Sequence, residues 1–321
     1  IKGVYVPLKE TIRGVKGNFD DCQRAVKKLF ASSDFNAALK EKGVLLSSAN
    51  SINFGRLVPQ IAYYFSAYAD LVSSEQIAPG DEVDFSVPTG NFGDILAGWY
   101  AKKMGLPVRK LVCASNRNRV LTEFFAKGVY DAKRTFYRTM SPSMDILVSS
   151  NLERLLFLLS GDEQLVAKLM RQLTEDGAYE VPEELKEKIQ SLFWAGCCGD
   201  AETKQTIGRV WQEHHYLCDT HTAVAWNVAQ QYKAANPAHA PVVVLSTASP
   251  YKFPAAVLEG LGEKAEGDEF AVMEQLERLT RIPAPKNLRG LRERPVRHTT
   301  VLDREEMLPF VLEKAQEKKW F

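Results

Sequence analysis

The chain has 321 residues, 45% of them hydrophobic and 25% charged, with 41 basic and 40 acidic side chains. This is the composition of an ordinary globular protein. A formal net charge of +1 gives no electrostatic reason for a nucleic-acid or anionic-membrane partner, and the longest apolar runs, such as 61–65 and 242–245, are far too short to cross a bilayer.

Five cysteines, an odd number scattered over a long chain, point to reduced thiols and a cytoplasmic setting. The sequence opens on Ile1 rather than Met and shows no leader pattern. It therefore reads as a processed chain or a fragment.

After a short β-rich opening, Cys22, Ala25, Val26 and Leu29 recur at helical spacing. They predict an amphipathic helix over 20–31, capped by Asn18 or Asp20. Residues 44–46 read as a short strand. Leu57, Ile61, Tyr64, Phe65, Tyr68, Leu71 and Val72 lie three or four apart and predict a second helix. Pro59 is tolerated near its start. After the Pro79-Gly80-Asp81 turn come a strand over 83–87, a helix over 94–104, a strand over 107–114 and a helix over 120–126. That alternation predicts an α/β fold, a mainly parallel open sheet flanked by helices. Residues 143–211 read as a helical insertion. A strand returns at 241–246, followed by a turn and a helix over 254–261. A Pro- and Arg-rich excursion over 281–297 precedes a last helix over 304–318.

Four segments carry candidate chemistry. In Val87-Pro88-Thr89-Gly90-Asn91-Phe92-Gly93 a strand ends, two glycines permit a tight turn and a helix begins. Backbone N–H groups and a helix N-terminus then face one point, which suits a phosphate; the same pattern also suits a plain turn with no ligand. Asn50 and Ser51 stand at a helix entry with Arg56 about one turn on, either an anion site or a capped helix with a surface Arg. Thr247 lies in Ser246-Thr247-Ala248-Ser249, at the C-terminal end of a strand, where ligands bind in open α/β sheets. Lys252, just beyond, reads most simply as a solvated lysine. His214, His215, Cys218 and His221 match no common zinc spacing, so no metal is expected.

Taken in order, several segments resemble threonine synthase. They are Val15 to Asp21, Ser48 to Asn53, Val87 to Asp94, Ser141-Pro142-Ser143-Met144-Asp145-Ile146, Ser150 to Arg154 and Asp219-Thr220-His221-Thr222-Ala223-Val224-Ala225, spread over roughly residues 12–300. The resemblance implies a pyridoxal-phosphate (PLP) lyase of fold type II, in which residues 1–49 are a remnant of the small cofactor-side domain and 50–321 the large PLP-binding domain. The reaction implied converts O-phospho-L-homoserine and water into L-threonine and phosphate. By resemblance, Thr89, Gly90, Asn91, Phe92 and Gly93 cradle the cofactor phosphate, and Thr247 faces the pyridine nitrogen. Asn50, Ser51 and Arg56 form the substrate-phosphate site, with Arg56 stabilising the departing phosphate.

In the family the cofactor lysine lies in a Phe-Lys-Asp segment, and no Phe-Lys-Asp occurs in these 321 residues. The catalytic lysine is therefore left unassigned, and the expectation is a fragment whose parent is the enzyme. Two alternatives stay open: a non-enzymatic relative with a binding or signalling role, and another PLP enzyme of the same fold. The latter would be a phospholyase, or a hydroxy-amino-acid deaminase with no need of a second phosphate site.

Overall fold

The computed structural model describes residues 14–16, 25–26, 28–47, 53–296 and 299–316. The chain separates into two compact units, Ile1–Ser48 with Lys286–Phe321, and Ala49–Pro285. The sequence reading drew one boundary after residue 49 and kept the C-terminal segment in the large domain; this division groups that segment with the N-terminal one.

In the first unit the strand Gly14–Val15 (β1) pairs in parallel with Val301–Leu302. The helix Ser33–Glu41 (α1) starts at Ser32, whose hydroxyl accepts the Phe35 N–H at 3.3 Å. Leu29, Phe35, Leu39 and Ala315 form a small cluster. The strand expected over 44–46 does not form. Instead the Val44 N–H returns to the Leu39 carbonyl at 3.0 Å, and Val44 and Leu46 pack on the cluster. Within the helix expected over 20–31, residues 20–24 and 27 lie outside the described residues, while 25–26 and 28–31 are helical.

The second unit is the α/β fold that the alternation of elements predicts. It opens with the helix Phe54–Ser73 (α2). Next come the strand Val83–Pro88 (β2), the helix Gly93–Lys103 (α3), the strand Val108–Ser115 (β3) and the helix Val120–Lys127 (α4). The expected insertion contains the helices Leu152–Ser160 (α5), Glu163–Asp176 (α6), Glu183–Leu192 (α7) and Asp200–His214 (α8). It is not wholly helical. Val129–Asp131 (β4) pairs antiparallel with Ala178–Glu180 (β5), and Phe193–Cys197 (β6) joins the main sheet beside β3. The Phe-Trp-Ala-Gly-Cys run of β6 opens on two strand-favouring aromatics but has no apolar–polar alternation to mark it as a strand.

The helix Thr220–Ala235 (α9) follows, then the strand Val242–Val244 (β7) and the helix Pro254–Gly260 (α10). Consecutive α9 residues from Thr220 to Ala225 are all buried, so the first half of the helix shows no apolar stripe in sequence.

The main sheet is parallel throughout, in the order β6-β3-β2-β7. The chain moves outward from β2 to β3 to β6, then returns to lay β7 on the free side of β2. Strand order reverses between β2 and β7, and a crevice opens beyond the C-terminal ends of strands at such a point. β2 is covered on both faces. Val83, Phe85 and Val87 enter one core cluster with Tyr64 and Ile95, while Val112 and Ala114 of β3 enter another with Val224 and Val228 of α9. Ser86 donates its hydroxyl to the Ala225 carbonyl at 2.8 Å, tying α9 to β2. The crossing of α2 and α3 is close because Gly98 has no side chain: a methyl group there would lie 2.6 Å from the Tyr64 ring. Among the described residues no helix is long and apolar enough to cross a membrane.

At the opposite end of β2 from the crevice sits a fully buried carboxylate, Asp84. It accepts from Arg109 Nε and Nη2 at 3.1 and 2.6 Å, the Lys110 amide at 2.9 Å, the Tyr232 hydroxyl at 2.9 Å and the Ala240 amide at 3.1 Å. The hydrogen bonds to Asp84 push the Arg109 guanidinium further above its ordinary range. Five donors from β3, α9 and the approach to β7 meet on one side chain. Removing one partner of a buried ion pair costs about 3–5 kcal/mol. Asp84→Ala should lower unfolding free energy by that order in urea titrations, with the far end of the sheet unchanged in ligand binding.

Candidate ligand site

A cavity of about 330 Å³ opens beyond the C-terminal ends of β2 and β7, within the range of small-molecule sites. Each wall has a local cause. β2 ends at Pro88, and the next residues turn sharply into α3. Phe92 takes a left-handed backbone (φ 66°) at the N-cap of α3, a conformation rare for a bulky residue. Its fully buried ring packs on Phe125 and Phe193, with centroids 5.9 and 5.7 Å away, and this holds it there.

The carbonyls of the turn are tied to one side. That of Gly90 accepts the Ser149 hydroxyl at 2.8 Å, and that of Asn91 accepts the Asn151 amide and side-chain N–H at 3.0 and 2.9 Å. In a trans peptide the N–H points opposite its carbonyl. The Asn91 and Phe92 amides therefore face away from Ser149 and Asn151. With the N-terminus of α3 beside them, they make an anion-binding arrangement. Gly90 is required by close approach: a methyl group would meet the Ser143 carbonyl oxygen at 2.9 Å and Met144 Cα at 3.2 Å.

The first turn of α2 supplies Arg56 and, one turn on, Gln60. Asn53 caps this helix, its Oδ1 accepting the Gly55 amide at 2.9 Å. A cation in a first turn is disfavoured by the helix dipole unless an anion sits beside it. The Gln60 Oε1 is buried and has no hydrogen-bond partner among the described residues, an acceptor that a ligand donor would satisfy. The loop after β7 contributes Thr247 and Lys252, and α9 contributes His221. The His221 Nδ1 lies 2.9 Å from Asp219 Oδ1, with both side chains almost wholly buried.

Of the residues singled out in the sequence, Arg56, Gly90, Asn91, Gly93 and Thr247 line this cavity together. Thr89 and Phe92 stand behind its wall: the Thr89 hydroxyl donates to the Val87 carbonyl at 2.7 Å, and the Phe92 ring is in the core. Asn50 and Ser51 lie outside the described residues. Lys252 keeps its exposed character yet borders the cavity. Gln60, Asp94, Ser143, Met144 and His221 were not assigned in sequence. Four of them lie in segments noted for their resemblance. Gln60, four residues after Arg56 and so on the same helix face, could have been found from that spacing.

Among the described residues Asp94 is the one carboxylate lining the cavity. The Tyr64 hydroxyl donates to its carbonyl at 2.8 Å and lies 3.4 Å from its Oδ1. Burial raises its pKa from 3.8 to about 6, partly opposed by the Tyr64 hydrogen bond.

Comparisons place these features among known proteins. The family model "Threonine synthase, C-terminal" matches residues 222–310. Threonine synthase-like 1 of Macaca fascicularis is 48% identical over 251 residues, covering 77% of this chain and 33% of that protein. Threonine synthase of Pseudomonas aeruginosa is 43% identical over 251 residues, covering 78% of this chain and 51% of the enzyme. The crystal structure of PLP-bound threonine synthase from Brucella melitensis superposes with a TM-score of 0.75 at 39% identity, over 94% of this chain and 58% of that one. The chain thus spans between a third and about three-fifths of these relatives.

The Asp94 shift sets a pH dependence with a definite sign. Between about pH 4 and 6 the folded chain holds a proton on Asp94 that the unfolded chain has lost, so this group's contribution to stability falls as pH rises through that window. Asp94→Asn removes the fall. Urea unfolding of both proteins should give equal stability near pH 4 on this account. At pH 7 the variant should be the more stable, by on the order of 2 kcal/mol.

Proposed function

Because the chain belongs to the threonine synthase family, of whose full-length members it covers a part, we propose that its cavity holds the PLP and the substrate phosphate of an enzyme making L-threonine and phosphate from O-phospho-L-homoserine and water. The observation that carries this reading is the meeting of the Gly90–Gly93 turn, Thr247 and Arg56 in one cavity at the strand-order reversal. The chain spans about half of the bacterial enzyme. The proposal for these 321 residues is therefore the cofactor and phosphate walls, with turnover a property of the full-length protein.

The cavity fits PLP on three counts: a glycine cradle that a side chain would fill, an unpartnered Gln60 oxygen, and cationic Arg56 and Lys252 on the wall. When bound, PLP supplies an electron sink for charge that develops on substrate carbons. The turn amides and the α3 N-terminus hold its phosphate. Thr247 would offer the cofactor ring a neutral hydroxyl in place of a charged group. Arg56 binds the substrate phosphate and stabilises its charge as it leaves. Asp94, half-protonated at about pH 6, can hold or release a proton at its carboxyl oxygen. Arg56 on the wall favours a phosphorylated substrate over a plain hydroxy-amino acid. A phospholyase would use the same two phosphate sites and is separated from a synthase only by its product.

The test is a titration of the chain with PLP, followed by absorbance and by competition with inorganic phosphate. Hydride reduction and mass spectrometry then locate any lysine joined to the cofactor. Saturable binding, competed by phosphate and roughly 5- to 150-fold weaker in Gly90→Ala, is expected, since overpacking at such a contact costs about 1–3 kcal/mol. Arg56→Ala should retain PLP binding and lose affinity for the phosphorylated substrate. No saturable binding, or binding indifferent to Gly90→Ala, would leave the non-enzymatic relative as the better reading.

A further inference from the structure

The cavity wall contains a buried acid–imidazole pair to which no role has been given above. Asp219 is the N-cap of α9: its Oδ1 accepts the His221 amide at 2.8 Å and its Oδ2 accepts the Thr222 amide at 3.4 Å and the Thr222 hydroxyl. The same Oδ1 lies 2.9 Å from His221 Nδ1. A carboxylate at that distance accepts a hydrogen bond from Nδ1–H, which leaves Nε2 free to act as an acceptor. Nδ1 also lies 3.4 Å from the Thr220 hydroxyl, whose oxygen can accept from the same N–H, and on the far side of the ring Nε2 accepts the backbone N–H of Ser143 at 3.2 Å.

Ser143 belongs to the 3-10 turn Pro142–Met144. That turn is the surface against which Gly90 is pressed, with 2.9 Å between the Ser143 carbonyl oxygen and the place where a Gly90 methyl would be. The imidazole therefore grips, through one amide, the segment that backs the glycine cradle. Its face also packs on Phe253, with ring centroids 5.0 Å apart, and Phe253 follows Lys252 in the loop after β7. Thr222, held by Asp219, has its hydroxyl 3.4 Å from that of Ser246, the residue before Thr247. Both sides of the cavity, the cradle after β2 and the hydroxyl loop after β7, are thus referred to the first turn of α9.

We infer that Asp219 and His221 are the positioning residues of this cavity: Asp219 fixes the Nδ1–H form of His221, and His221 Nε2 holds the Ser143 amide so that the 142–144 turn stays closed on Gly90. Neither group has to touch the ligand for this. A ring without nitrogen would fill the same space and release the turn. For the ligand the inference rests on the PLP reading above; for the turn it stands on its own geometry.

Two readouts on the same chain keep these apart. Nitrogen-15 NMR of the wild type should show a protonated Nδ1 and an unprotonated Nε2 at His221. Amide hydrogen exchange should show Ser143 protected. In His221→Phe, exchange at Ser143 should speed up about tenfold, as expected for one lost, partly buried hydrogen bond, and PLP affinity should fall by a similar factor. His221→Gln, whose Oε1 can accept the same amide, should recover most of both losses, which a mere change of packing would not produce. A proton on Nε2 in the wild type would overturn the inference. So would Ser143 exchange that is unchanged in a folded His221→Phe. Faster exchange in His221→Phe, recovered in His221→Gln, in a chain that never binds PLP would uphold the positioning and reject the cofactor reading. If His221→Phe does not fold, the wild-type ring state and the Gln variant decide the matter.

Discussion

Everything at the site depends on β2 lying between β3 and β7. The strand is hydrogen-bonded on both edges and packed on both faces, so its two ends are fixed relative to every neighbour. Only three residue pairs join β2 to β7, Asp84 with Val242, Phe85 with Val243 and Ser86 with Val244. The Leu245 amide then reaches the Ser86 carbonyl at 2.9 Å, just before Thr247. Because side chains in a strand alternate, a shift of one residue in this register would carry Thr247 away from the glycine turn. The buried Asp84 cluster opposes such a shift from the other end, since its donors come from β3, from α9 and from the segment entering β7.

The reversal of strand order gathers charge as well as backbone. The N-terminal turns of α2, α3 and α9 supply Arg56, Gly93 with Asp94, and His221 to one cavity. Each turn carries the partial positive charge of its helix end. Asp219 answers that charge at α9, and burial keeps Asp94 partly neutral near pH 6. The remainder is a cavity with positive potential from two helix ends and two cationic side chains. Such a wall suits an anionic ligand.

Behind the cavity, polar groups hold loops that have few strands to brace them. Asp145 Oδ1 accepts from Asn116 at 2.8 Å, Asn118 at 3.1 Å and the Thr139 hydroxyl at 2.7 Å, while its Oδ2 takes the Thr139 amide at 2.9 Å. This satisfied network fixes the 139–145 segment to the end of β3. His221 then fixes the same segment, through Ser143, to α9. A segment anchored at both ends can present a carbonyl within van der Waals distance of Gly90 without drifting into the cavity.

Much of this was legible in the sequence wherever one residue or one period decides the outcome. The 3.6-residue pattern of α2, the apolar strands β2 and β3, and the paired glycines before α3 each have a local cause, and each element forms where the pattern places it. So does the pairing of Thr247 with a strand end. What was not legible depends on neighbours. β6 has no apolar–polar alternation and pairs where β3 offers it an edge. The first six residues of α9 show no apolar stripe because all of them are buried. Val44 and Leu46 pack on a cluster instead of pairing as a strand. The roles of Gln60, Asp94 and His221 come only from the walls they share, and the Asp94 shift is a consequence of burial that no spacing encodes. The sequence by itself determined the elements and the phosphate-suited turn, because backbone conformation follows from local residue types. Only the tertiary structure decided which loops meet and which proton His221 carries, because those follow from strand order and from hydrogen-bond partners distant in the chain.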